Sequence, residues 1–177
     1  MSCSRIHALV PLVLLLAAAP VSSQSAPTDL RTELGRHFEG SARKVVALAA
    51  AMPADSYDWR PTEGVASVVE VYMHIARYNY MYPDENLGIP APVAYADLEE
   101  DVVDKEEALE ILAASMDHVR GILERLSSEE LEQPARLYGR DVTKWAVLLQ
   151  LVAHMNEHLG QSIAYARTNQ IAPPWSG

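Results

Sequence analysis

Residues 143–168 read TKWAVLLQLVAHMNEHLGQSIAYART. The run holds no proline and one glycine, Gly160, and so predicts a single long helix. Trp145, Leu148, Leu149, Val152, Leu159 and Ile163 recur at three- and four-residue spacing, which puts them on one stripe facing a core. Beside it runs a second row of Val147, Leu151, His154, His158, Gln161 and Tyr165. Side chains four apart on a helix are neighbours, so His154 and His158 stand one turn apart on a largely buried face. Two imidazoles so placed can hold one metal ion. They can equally be two packed side chains with ordinary hydrogen-bond partners, and the choice turns on what the rest of the chain brings to that face.

Residues 1–23 carry Arg5 and His7 ahead of an apolar run over 8–19, interrupted by Pro11 and followed by small residues. An apolar run of about a dozen residues is too short to span ~30 Å of hydrocarbon, so the segment predicts a cleavable export signal, cut after Ser23 or Ala26. The expected location is periplasmic or extracellular. Cys3, the single cysteine of the 177 residues, leaves with that segment. The mature chain then has no disulfide and no thiolate ligand, and any metal must be held by nitrogen and oxygen. Loss of Arg5 takes the formal net charge from −10 to −11. Such a surface repels phosphate backbones and anionic lipid, which argues against nucleic-acid or membrane-surface partners. Residues 28–177 suffice for one globular domain and show no internal repeat.

Four helices account for that domain. Over 28–51, Leu30, Leu34, Phe38, Ser41, Val45 and Leu48 keep helical spacing and Pro53 ends the run. His37 lies near this face and reads as a packed side chain. Tyr57 to Gly64 is a turn, after which Ser67 and Glu70 have capping-box spacing and start a helix running to Met81. That gives Glu70 a structural role. His74 sits inside this helix among Val71, Tyr72, Ile75 and Tyr78, and a buried imidazole there needs a partner. Residues 82–103, with Pro83, Gly88, Pro90 and Pro92, read as a long connection, and Asp104 with Glu107 starts the third helix. His118 is assigned to the margin of that helix or to solvent. Ser127 to Leu131 reads as one short turn, Gly139 breaks the chain, and Asn169 is a candidate left-handed cap before Pro173 and Pro174. No segment alternates as a strand does, so the expected fold class is all-α, a four-helix bundle.

In such a bundle His74 from the second helix and His154 with His158 from the fourth can meet at one level of the core. Three neutral imidazoles leave a fourth position for water or substrate, as catalytic zinc sites do. The chain resembles the DinB-like superfamily of metal-binding four-helix bundles, which includes thiol-dependent maleylpyruvate isomerases and bacillithiol transferases. The resemblance is carried by Asp58-Trp59-Arg60-Pro61, by Ser67 and Glu70 leading to His74, and by residues 154–161, HMNEHLGQ. It implies a divalent metal, zinc or nickel, on His74, His154 and His158, and frequent homodimers. An exported chain meets few reduced thiols, which argues against a thiol cosubstrate here.

The order of His154, Glu157 and His158 also matches the His-x-x-Glu-His of inverted zinc peptidases. That reading requires a downstream acidic ligand, and no Asp or Glu follows His158. The expectation is an exported protein with a three-histidine metal site serving hydrolysis or group transfer. The alternatives are a non-catalytic bundle that binds metal or a small ligand, and a bundle with unmetallated histidines. Tyr78, Asn79, Glu157 and Gln161 are candidates for supporting the ligands or touching substrate.

Overall fold

The structure, a computed structural model, describes residues 29–176. The expected export signal, residues 1–23, lies outside them. Four long helices form the body: α1 (Leu30–Ala51), α2 (Val68–Met81), α4 (Lys105–Arg125) and α6 (Lys144–Thr168). Two single-turn helices, α3 (Leu98–Asp101) and α5 (Ser128–Leu131), lie in the connections. α1 packs on α4 and α6, and α2 packs on the same two. Chain-consecutive α1 and α2 therefore sit across the diagonal. Among the described residues no helix is long and apolar enough to cross a membrane.

Local chemistry fixes the helix starts. Asp29 caps α1 by accepting the Thr32 backbone N–H at 3.1 Å. At α2 the capping box is complete: Ser67 Oγ accepts from Glu70 N–H, and Glu70 Oε2 accepts from Ser67 N–H at 2.7 Å. Glu70 also pairs with Arg60 at 3.0 Å. Burial works against its charge, but the Ser67 N–H and the Arg60 guanidinium outweigh it and hold the carboxyl below the usual range. Ser67→Ala removes one half of this box; the expected cost of about 1 kcal/mol lowers Tm by roughly 2–4 °C, read by circular dichroism melting.

The core is filled by Phe38, Val45, Leu48, Met73, Ile75, Leu112, Ile122, Val147 and Met155. Helix pairs are also pinned by polar contacts, one part-buried and one buried. Ser41 donates to Asn156 between α1 and α6 at 2.8 Å, and Asn79 donates to Ser115 between α2 and α4 at 3.0 Å.

Several expectations are corrected. Residues 134–143 are a two-stranded antiparallel hairpin, β1 (Pro134–Leu137) with β2 (Arg140–Thr143), pairing Pro134 with Thr143 and Leu137 with Arg140. Four-residue strands are too short for alternation to register in the sequence. The start of the long connection is a π-helical turn, Tyr82–Leu87, closed by Gly88 at φ +68°. Asn86 ties that turn to the hairpin by donating to the Arg136 carbonyl at 2.8 Å. Leu149, placed on the core stripe, is 49% exposed, because the covered face of α6 centres on Leu148, Leu151 and Met155. Asn169 is not left-handed; Gln170 takes that conformation, at φ +61°. His37 is exposed rather than packed. His118 lies at the margin of α4 against the Tyr80 ring, and its Nε2 is buried with no hydrogen-bond partner among the described residues. Burial lowers its pKa.

Candidate metal centre

Because α2 and α6 are adjacent, the middle of one faces the middle of the other. His74 on α2 meets His154 and His158 on α6, with ligand atoms of all three within 4.8 Å of one another. Ring centroids are 5.0 Å apart for His74 and His154, and 4.6 Å for each of the pairs His74–His158 and His154–His158. His74 Nε2 and His154 Nε2 are 3.1 Å apart. Ligands at 2.0–2.1 Å from a tetrahedral ion are separated by about 3.3 Å, so this spacing suits a shared cation.

Which nitrogen faces the centre is set from outside it. The Nδ1–H of His74 donates to Glu99 Oε1 at 2.8 Å. The Nδ1–H of His158 donates to Gln161 Oε1 at 2.8 Å. Gln161 is held the right way round because its amide donates to the Tyr165 hydroxyl at 3.0 Å, which in turn donates to the Ala66 carbonyl at 3.0 Å. Trp59 packs edge-on against the Tyr165 ring at 5.3 Å, so the Trp-Arg-Pro stretch buttresses this chain of bonds. With Nδ1 protonated and engaged on both rings, the Nε2 lone pairs are left for a cation. His154 is oriented by packing instead, with Tyr78 at 4.2 Å and Tyr82 edge-on at 5.9 Å.

The electrostatics favour neutral rings at His154 and His74. Burial first, then the neighbouring His158 and His74 and the Arg77 charge, push His154 down to about 3. Burial also lowers His74, with Glu99 pulling the other way. Neutral imidazole is the form that ligates, so protons hardly compete for these lone pairs at neutral pH.

Glu99 could not be picked out of the sequence. It comes from α3, twenty-five residues beyond His74, in an acidic run where Glu100 and Asp101 look the same. It also accepts from Arg77 Nε at 3.2 Å, and Arg77 lies over the Tyr78 ring at 4.9 Å. Of the other candidates, Tyr78 touches both His74 and His154, and Gln161 supports His158. Asn79 points away, into the α2–α4 contact, and Glu157 is exposed on the flank of α6. One helical step of about 100° separates Glu157 from His158, which accounts for that placement.

A DinB superfamily model matches residues 37–162, which take in α2 and α4 whole, most of α1 and α6, and the three histidines. The chain belongs to the DinB superfamily. No curated protein sequence matches it. Solved structures share the fold. A DinB-like protein from Bacillus cereus aligns with TM-score 0.72 at 14% identity, covering 82% of this chain and 97% of its own. A DinB family member from Exiguobacterium sibiricum aligns with TM-score 0.60 at 23% identity, covering 82% and 95%. YfiT from Bacillus subtilis, described as a probable metal-dependent hydrolase with an unusual four-helix bundle topology, aligns with TM-score 0.63 at 15% identity, covering 88% and 95%.

Proposed function

We propose that this chain binds one divalent metal ion, zinc or nickel, through His74, His154 and His158, and that the centre serves hydrolysis or group transfer. The observation that carries the reading is the convergence of three imidazoles with Nδ1 of His74 and His158 already committed to Glu99 and Gln161. A packed histidine also needs a hydrogen-bond partner, but ligation accounts for three rings converging with the Nδ1 partners of His74 and His158 on the outside, the arrangement ligating histidines usually have. The description of YfiT as a probable metal-dependent hydrolase lends support at the level of the family.

A divalent ion with an open position lowers the pKa of bound water toward ~7 and polarises a substrate oxygen. The residues around it supply the remainder. Tyr78 walls the site against both His74 and His154, and Arg77 brings a positive charge to its edge. Glu157, solvated on the outer flank, takes no part.

The apolar run over 8–19 supports export to the periplasm or beyond, and the net charge of −10 disfavours nucleic-acid partners. Homodimerisation is part of the same reading, on the strength of the family resemblance. Elemental analysis of protein expressed with residues 1–23 intact is the direct test. About one zinc or nickel per chain is expected for a three-histidine site. Purified, folded protein with only trace metal, unable to take up added zinc or nickel, defeats the reading.

A further inference from the structure

Arg77 stands one turn beyond His74 on α2, so the two side chains leave the helix on the same side. They close on one atom. Glu99 Oε1 accepts from His74 Nδ1–H at 2.8 Å and from Arg77 Nε–H at 3.2 Å. The guanidinium is itself seated, 4.9 Å from the centre of the Tyr78 ring, and among the described residues Glu99 is its one hydrogen-bond partner.

Glu99 needs this second hold. It stands on α3, a single helical turn whose start no side chain caps. Beside it opens a cavity of about 310 Å³ lined by Ala66, Glu70, Arg77, Ala96, Glu99 and Glu100. Arg77 is the one basic residue of that lining, set among three acidic ones. Like charges around one space repel, and a partly exposed glutamate held by a neutral imidazole alone regains both distance and rotamer freedom by turning out to water. Arg77 opposes that turn, because it puts its positive charge on the same oxygen that His74 uses.

We propose that Arg77 is a positioning residue of the metal centre: by holding Glu99 against Nδ1 of His74, it keeps that ring with Nε2 toward His154 and so strengthens cation binding. This rests on the metal reading above. The sign of the effect separates it from a bystander's. A positive charge so near the three rings works by itself against a cation, so removing an arginine with no other role would tighten binding. Removing one that positions Glu99 weakens binding, even though a repelling charge has gone.

Zinc affinity of the purified protein, measured by competition against a chromophoric chelator, tests this. Arg77→Gln is expected to bind zinc about fivefold more weakly than wild type, the worth of a partly exposed ion pair of about 1 kcal/mol. Arg77→Lys, whose ammonium can replace the single Nε–H, recovers most of that loss. In a Glu99→Ala background the same Arg77→Gln change leaves the affinity as it is or raises it, because only the repelling charge is then removed. Helical content stays as in wild type, and the Tm of metal-free protein stays within about 2 °C. Arg77→Gln that binds zinc as tightly as wild type or tighter, or that loses as much affinity with Glu99→Ala as without it, overturns the proposal. Wild type unable to take up stoichiometric zinc is a failure of the metal reading itself, seen before any variant is compared, and removes this proposal with it.

Discussion

His154→Ala is expected to lose stoichiometric metal while keeping its helical content. Structural zinc sites are worth about 10–16 kcal/mol over their full ligand set. One of three ligands then carries on the order of 4 kcal/mol, or about a thousandfold in affinity. The scaffold should not notice. His154 is only half-buried, while α6 is anchored by the fully buried neighbours Leu151 and Met155 on its core side. In acid, truncation even removes a penalty, because burial and the two other imidazoles push the ring's pKa down to about 3. The unfolded chain binds that proton below the ordinary pKa near 6.5, so wild type without metal loses stability as pH falls through that value, and His154→Ala loses less. Elemental analysis beside far-ultraviolet circular dichroism checks both halves. Unchanged metal content would refute His154 as a ligand, and collapse of the helical signal would make the ion a structural one.

What the sequence disclosed follows from how far each signal travels along the chain. The Ser67–Glu70 box, the α6 stripe apart from Leu149, and the spacing of His154 and His158 are local, set by residues within two turns, and the structure has them in place. His74 required one long-range step, which is safe in a bundle because the middle of one helix must face the middle of another. Glu99 had no such guarantee. Its place depends on how residues 82–104 fold back over α2, through a π-helical turn and a single turn of helix that no periodicity marks. Asn79 illustrates the opposite failure. It lies one residue from Tyr78 and five from His74, yet a step of about 100° carries it from the metal face to the α4 face, where Ser115 meets it. Leu149 fell to the same geometry. A three- and four-residue pattern is satisfied by rows on either side of the true core face, and only the neighbours α1 and α2 decide between them.

Glu99→Ala is expected to weaken metal binding by about 10–100-fold without emptying the site, the usual range for losing the group behind a ligating imidazole. Two effects act together. The Nδ1–H of His74 loses its acceptor, so the ring is free to turn and to carry its proton on Nε2, the atom that faces His154. The carboxylate also opposes the downward pull of burial on His74, and without it the ring is a poorer base toward a cation as well as a proton. The ion pair itself contributes little to folding, since the Glu99 side chain is 33% exposed and that of Arg77 26%. Tm of metal-free protein should therefore move by less than about 2 °C. Glu99→Gln separates the two effects. Its amide oxygen can still accept from Nδ1–H, as Gln161 does for His158, so it should recover the orientation but not the charge and fall between wild type and Glu99→Ala. Competition against a chromophoric chelator measures all three. Equal affinity in wild type and Glu99→Ala would mean that His74 is held by packing against Tyr78 alone and that the contact with Glu99 is incidental.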